Sequence, residues 1–376
     1  MEAKVKNRVA LSSIFFLSGL VITTFTSRIP TIKGLLDLNE AELGTLLLVL
    51  PISSLIGLPV SGWLVEKYET RGPILIGGIA ICLSIATVGF MTDVIWMGAV
   101  LFVFAFFNRI VNIAMNTQAI TLQDIYGKKI NGSFHGLWSV GGIAGVGVST
   151  LMVSLSVPMS VHLAIVCAMA LVLFCLVYLG LIQGDHSTKK SKIRFGKPDP
   201  KVLMLGMLVL LAAISEGGMF DWSGVYFKEV VKVEIFTTGF LTFMIMMALS
   251  RFISDWLVDK LGMKRLYVIS SLLTVSGYTL SVLVPEFWVA MIGFSMVGMG
   301  TASIIPMTFT LAGNLKKFSP GIAISLIGTY GMVGVLAGPP IIGYIAHLLD
   351  LKASFLFLAA STFMIVPISQ LFFKRQ

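Results

Sequence analysis

The chain has 376 residues, 56% of them hydrophobic and only 12% charged, with a net charge of +9. Soluble domains carry roughly 25% charged residues, so this sequence cannot cover a water-facing surface of its size, and neither an enzyme nor a nucleic-acid binder finds support. The basic residues sit in short tracts between apolar runs, a placement that fits membrane orientation. Apolar runs of about 20 residues, long enough to cross the hydrocarbon core, recur along the whole chain. Read between charges, prolines and glycines, they predict twelve helices. The first six lie near 8–27, 41–65, 73–91, 96–118, 134–156 and 159–182. The second six lie near 202–227, 236–258, 265–284, 287–311, 320–345 and 352–373.

The first run follows Lys4, Lys6 and Arg8, as a signal peptide would, but no small-x-small cleavage site follows it, so it is expected to stay as the first span. Residues 184–200 form the one long polar stretch, with Lys189, Lys190, Lys192, Arg194 and Lys197, and read as a linker between bundles at 1–183 and 201–376. With the N-terminus inside, 20 Lys and Arg fall on the inner side and five on the outer, Arg109 and Arg251 lying within spans. The positive-inside rule then places both termini in the cytoplasm of a multi-pass protein of the cell (inner) membrane. Asn131-Gly132-Ser133 matches a glycosylation acceptor but falls on the inner side.

The halves are related. Ser61-Gly62-Trp63-Leu64-Val65-Glu66-Lys67 returns 193 residues later as Ser254-Asp255-Trp256-Leu257-Val258-Asp259-Lys260. The same offset maps Gly141, Ala144 and Gly145 onto Gly334, Ala337 and Gly338. A duplicated half in so hydrophobic a chain is the pattern of a membrane carrier.

With these features the chain resembles the major facilitator superfamily of secondary transporters over essentially its whole length. Gly62-Trp63-Leu64-Val65-Glu66-Lys67-Tyr68-Glu69-Thr70-Arg71-Gly72 is similar to that family's loop signature between spans 2 and 3, with Glu66 for the usual Asp and Glu69 for the usual Gly. The second copy keeps Asp259 and Gly262. More narrowly, Asn112-Ile-Ala-Met-Asn116-Thr-Gln118, Phe134-His135-Gly-Leu-Trp138-Ser139, Glu216-Gly-Gly-Met-Phe-Asp221-Trp222-Ser223 and Ala337-Gly338-Pro339-Pro340 resemble the YbjJ-like branch, which carries no firm substrate. The resemblance implies an all-α fold of twelve transmembrane helices in two pseudo-symmetric six-helix bundles. It also supports gating roles for Glu66, Lys67, Arg71, Arg251, Asp255, Asp259 and Lys260, whose charges would bias a two-state equilibrium. Arg251 and Asp255, four apart, can pair along one helix. Otherwise these charges only anchor the inner interface.

Four positions on span 4, Asn108, Arg109, Asn112 and Asn116, fall at about 0°, 100°, 40° and 80° around a helix. A polar arc so narrow should face a cavity or another helix, and a midspan cation needs a partner or water. Arg109 can take an anionic group, while the asparagines can equally serve helix–helix hydrogen bonding. Glu216, past the middle of span 7, suits proton exchange, with a permanent pair to a cation such as Arg109 as the structural alternative. Gly217-Gly218 is expected to unwind the helix beside it. The repeat maps Arg28 onto Asp221, which suggests an outer-gate salt bridge, or else two solvated interfacial charges.

Trp138 and Trp222 are expected to stack on a flat solute, or to anchor at the interface. His135 can titrate, although a histidine at a helix end commonly serves structure. The glycines of spans 5 and 11 read as close packing and a hinge, with Pro339-Pro340 kinking the second helix. Cys82, Cys167 and Cys175 have neither redox nor metal spacing. No metal cluster and no phosphate-cradling loop is found, so no cofactor is expected and a proton gradient would supply the energy. The expected function is proton-coupled symport of a small polar or anionic organic solute by alternating access, by a monomer whose partners are solute, protons and the bilayer. A proton-antiport exporter of drugs or metabolites and a non-transporting receptor on the same scaffold are the alternatives.

Overall fold

The computed structural model describes residues 3–127, 130–184, 199–315, 317 and 320–375. Among them every regular element is an α-helix. In chain order these are α1 (Ala3–Thr26), α2 (Ile29–Leu35), α3 (Glu40–Leu47), α4 (Val49–Lys67), α5 (Arg71–Val88), α6 (Val94–Tyr126), α7 (Asn131–Ser154) and α8 (Met159–Tyr178). They continue as α9 (Pro200–Glu229), α10 (Thr238–Leu261), α11 (Met263–Leu283), α12 (Phe287–Thr301), α13 (Ile304–Gly313), α14 (Pro320–Leu348), α15 (Leu351–Phe363) and α16 (Ile365–Lys374). Eleven stretches are long and apolar enough to cross a bilayer, and Thr238–Ser254 of α10 is a shorter apolar helix that supplies the twelfth. Most of the expected linker, 185–198, lies outside the described residues.

The chain divides into two compact units, Met1–Asp37 with Val49–Lys190, and Leu38–Leu48 with Ser191–Gln376. The eleven residues carrying α3 therefore belong with the later part of the chain. The expected second span breaks at Leu48, and α3 packs on α14, where Gly44 approaches the Pro339 carbonyl and Thr45 Oγ1 meets Tyr344 OH at 3.3 Å. The start of α3 is fixed by a reciprocal cap: Glu42 N donates to Asn39 Oδ1 and Asn39 N to Glu42 Oε2, both at 2.9 Å.

Aspartate side chains cap the starts of three other helices. Asp93 accepts from Ile95 N and Trp96 N to start α6, and Asp350 accepts from Ala353 N to start α15. Asp199 starts α9 by accepting from Lys201 N, and its other oxygen accepts from Lys317 Nζ at 2.9 Å, which holds its carboxyl below the usual carboxylate range. The fourth span runs to Tyr126, eight residues past its expected end at 118. Gln118 looked like a terminus but is buried, its amide donating to Thr70 Oγ1 at 2.8 Å. The turn comes at Gly127, with φ 62°. Gly262, at φ 74°, likewise separates α10 from α11, which is why the second copy of the loop signature keeps a glycine there.

The duplication is visible in the packing. Within the first unit α7 lies along α1, with Gly141 against the Phe16 carbonyl and Gly145 against that of Leu20. Within the second, α14 lies along α9, with Gly334 against the Leu210 carbonyl and Gly338 beside Ile214. In both, glycines four residues apart meet residues four apart on the partner, and removing the Cβ lets the backbones touch. A second contact also recurs: Ser53 Oγ donates to the Phe102 carbonyl at 2.5 Å and Ser250 Oγ to that of Met299 at 2.9 Å. These two are offset by 197 residues, one helical turn beyond the repeat's 193. Helix α14 continues through Pro339 and Pro340.

Candidate functional site

The repeated loop motif closes on itself. In the first copy Lys67 Nζ sits 4.8 Å from the Trp63 ring, and in the second Lys260 Nζ sits 4.3 Å from the Trp256 ring. Trp and Lys four residues apart share a helix face, so each copy builds the same cation–π contact. Glu66 and Asp259 are exposed, and Arg71 stacks its guanidinium 4.1 Å from the Tyr178 ring. The side chain of Asp255 lies outside the described residues.

In the first unit, α6 carries the polar stripe on one side. Asn108, Arg109, Asn112 and Asn116 are all half-buried, while Ile110, Val111, Ala114 and Met115 are buried on the other side. Arg109 lies against Gly57 of α4, where a Cβ would meet its own Cβ at 3.3 Å. Its Nε is buried and has no hydrogen-bond partner among the described residues. Asn116 spends its amide on the Asn112 carbonyl at 2.8 Å, which leaves it less to offer a ligand. Trp138 is half-buried, and His135 is exposed with its ring edge-on to Phe15 at 5.4 Å. Arg28 is buried within this unit, donating to His162 Nδ1 and to the Val157 carbonyl. Sequence reasoning missed His162; its signal was an ionisable residue inside an otherwise apolar run.

In the second unit, α9 is buried along most of its length but keeps a half-buried strip of Glu216, Gly217, Phe220 and Asp221. Positions i, i+1, i+4 and i+5 share one side of a helix, and a Cβ at Gly217 would meet nothing within 4 Å. Glu216 Oε1 accepts from Arg251 Nη2 of α10 at 3.3 Å, with the side chains 20% and 34% exposed. Arg109 was the expected structural partner, and the cation found is Arg251. Asp221 has neither hydrogen bond nor ion pair among the described residues.

Two expectations for this helix fail. Gly217-Gly218 does not unwind it, because α9 runs unbroken and Gly218 serves close packing against Ile342 and Leu358. Trp222 cannot stack on a solute here: it is 0% exposed, with its ring against Gly343 of α14. Unpredicted by the sequence, Tyr226, Phe227, Phe294 and Phe355 form an aromatic core, with Tyr226 and Phe355 rings 4.2 Å apart. An apolar cleft of about 620 Å³ lined by Leu211, Ile214, Val275 and Phe357 has no charged lining residue and does not suit a polar solute.

Membrane-length helices in two internally repeated units, with ionisable side chains held midspan, define a polytopic membrane protein of the transporter class. The sequence model of the Major Facilitator Superfamily matches residues 11–263 and 235–376. An uncharacterized MFS-type transporter of Yersinia pestis is 32% identical over 94% of this chain and 93% of its own length. Membrane protein MosC of Rhizobium meliloti is 28% identical over 97% of this chain and 90% of its own. Among solved structures, the D323A mutant of nucleoside transporter NupG superimposes with a TM-score of 0.81 at 16% identity, covering 99% of this chain and all of that one. A bacterial homolog of the human lysosomal transporter Spinster, inward-facing and occupied, gives 0.75 at 14% identity, covering 97% and 96%. The chain belongs to the Major Facilitator Superfamily.

Proposed function

We propose that this transporter moves a small polar or anionic organic solute across the cell membrane by alternating access, driven by protons in symport. The observation that carries the reading is Arg109: a cation midway along a membrane-spanning helix whose buried Nε has no hydrogen-bond partner among the described residues. A desolvated guanidinium donor is costly to leave unmade, and an anionic or strongly polar solute group would fill it. Asn108 and Asn112, on the same side of α6, would add hydrogen bonds to that solute. Glu216 takes the proton in this scheme. Its protonation would cancel the attraction to Arg251 and so link proton occupancy to the arrangement of α9 and α10.

The test is a thermal-shift screen of the purified protein against sugars, organic acids, amino acids, nucleosides and cationic drugs at two pH values. Bound ligand stabilises by mass action, by about 2.7 kcal/mol at one hundred times Kd. A polar or anionic compound should raise the melting temperature of the wild type, lose its effect in Arg109→Ala, and lose its pH dependence in Glu216→Gln. Hits confined to lipophilic cations and indifferent to Arg109 would overturn the reading in favour of an exporter.

A further inference from the structure

Arg28 and His162 lie apart from the residues that carry the transport reading, and their geometry supports an inference independent of it. Arg28 is 4% exposed and His162 0%. The Arg28 Nε–H donates to His162 Nδ1 at 3.0 Å, and Nη2 donates to the Val157 carbonyl at 3.3 Å. An accepting Nδ1 must carry a lone pair, so the imidazole is neutral with its proton on Nε2. That Nε2 is buried and has no hydrogen-bond partner among the described residues.

A second proton, arriving at Nδ1, would turn the acceptor into a donor pointed at another donor. It would also set imidazolium beside guanidinium where water is excluded. Little else nearby can soften this. Helix α8 packs against α1 and α5. On α1 the charges are Lys4, Lys6 and Arg8, and on α5 Arg71, all at the ends of those helices remote from His162. The far end of α5 is the one beside it, Gly89 touching Ser160 in the first turn of α8. The remaining titratable groups on these helices are the buried thiols of Cys82 on α5 and Cys167 on α8 itself, with Cys175 and Tyr178 at the far end of α8. Lys33 on α2 is the next charge along the chain from Arg28. The charge hydrogen-bonded to His162 is that of Arg28, of the same sign as its own protonated form.

We infer that His162 is a proton-binding site of the first unit, and that proton uptake releases Arg28 from the corner between α7 and α8. The neutral imidazole is the acceptor that holds the guanidinium, and the guanidinium in turn ties down the Val157 carbonyl at that corner. Under the orientation given by the Lys and Arg distribution, the corner faces the outer compartment, so the proton would come from there.

The test reads folding and leaves transport aside. An unfolded chain protonates histidine near pH 6.5, whereas in the fold Nδ1 already accepts the Arg28 Nε–H, so stability conferred by that hydrogen bond is lost as pH falls below that value. Melting temperatures of the purified wild type and His162→Gln would be compared at pH 7.5 and 5.5. Glutamine can still accept from Arg28 Nε through its amide oxygen but cannot titrate. The wild type should fall by about 2–4 °C more than His162→Gln over this range. Equal slopes in the two would overturn the inference. Hydrogen exchange of the wild type gives a second readout needing no variant. Corrected for intrinsic rates, residues 155–162 should exchange faster at pH 5.5 than at 7.5, and an unchanged rate would show that Arg28 is not released.

Discussion

Glu216 and Arg251 meet at 3.3 Å with both side chains partly exposed, which places their coupling between two known limits. Exposed pairs contribute about 0–1 kcal/mol, and breaking a buried one costs about 3–5 kcal/mol. A double-mutant cycle with Glu216→Gln and Arg251→Gln should return a coupling of about 1–2 kcal/mol, measured as stability of the purified protein at neutral pH. A coupling indistinguishable from zero would mean that the two charges are solvated separately. The sequence made both residues legible as midspan ionisable groups but could not name their partnership. The polar stripe offered Arg109 to Glu216, while the pairing of Arg251 with Asp255, suggested by spacing along one helix, falls on a side chain outside the described residues. Which cation reaches a given carboxylate depends on how α9 and α10 cross, and periodicity within either helix holds no record of that. His162 escaped notice for a related reason, since its importance comes from Arg28, which is 134 residues away.

At the scale of the helix, the glycines divide into two kinds that the sequence does not distinguish. Gly334 places its missing Cβ 2.6 Å from the Leu210 carbonyl, and Gly141 is in still closer contact with that of Phe16. Backbone cannot give way as a flexible side chain can, so Gly141→Ala and Gly334→Ala should each cost about 1–3 kcal/mol through overpacking. Gly217 has open space around it, and Gly217→Ala should be neutral or gain about 0.5–1 kcal/mol from helix propensity. Thermal melts of the three variants check this, and a Gly217→Ala protein as damaged as the other two would contradict the packing account. The repeat in the sequence did flag Gly141, Gly145, Gly334 and Gly338 together; close approach excludes a Cβ at the first three, while Gly338 sits at ordinary contact distance from Ile214. The break at Leu48 left no comparable mark: α3 is apolar enough to continue into α4, and only its packing on α14 reveals where it belongs.

For the molecule as a whole, the charges bear on orientation more directly than on stability. Three spans separate the turn after α6 from the segment between α9 and α10, so these two places must lie on opposite faces of the membrane. The excess of Lys and Arg predicts that the first faces the cytoplasm. Asp124 and Glu234 are exposed at these two places, and single cysteines there, in a background without the three native ones, give a direct test. In intact cells a membrane-impermeant maleimide should label Glu234→Cys, and should label Asp124→Cys only after permeabilisation. The opposite pattern would invert the topology and make the Arg28–His162 corner cytoplasmic. The stability experiment on His162 would stand unchanged, because it depends on the hydrogen bond and not on which compartment supplies the proton.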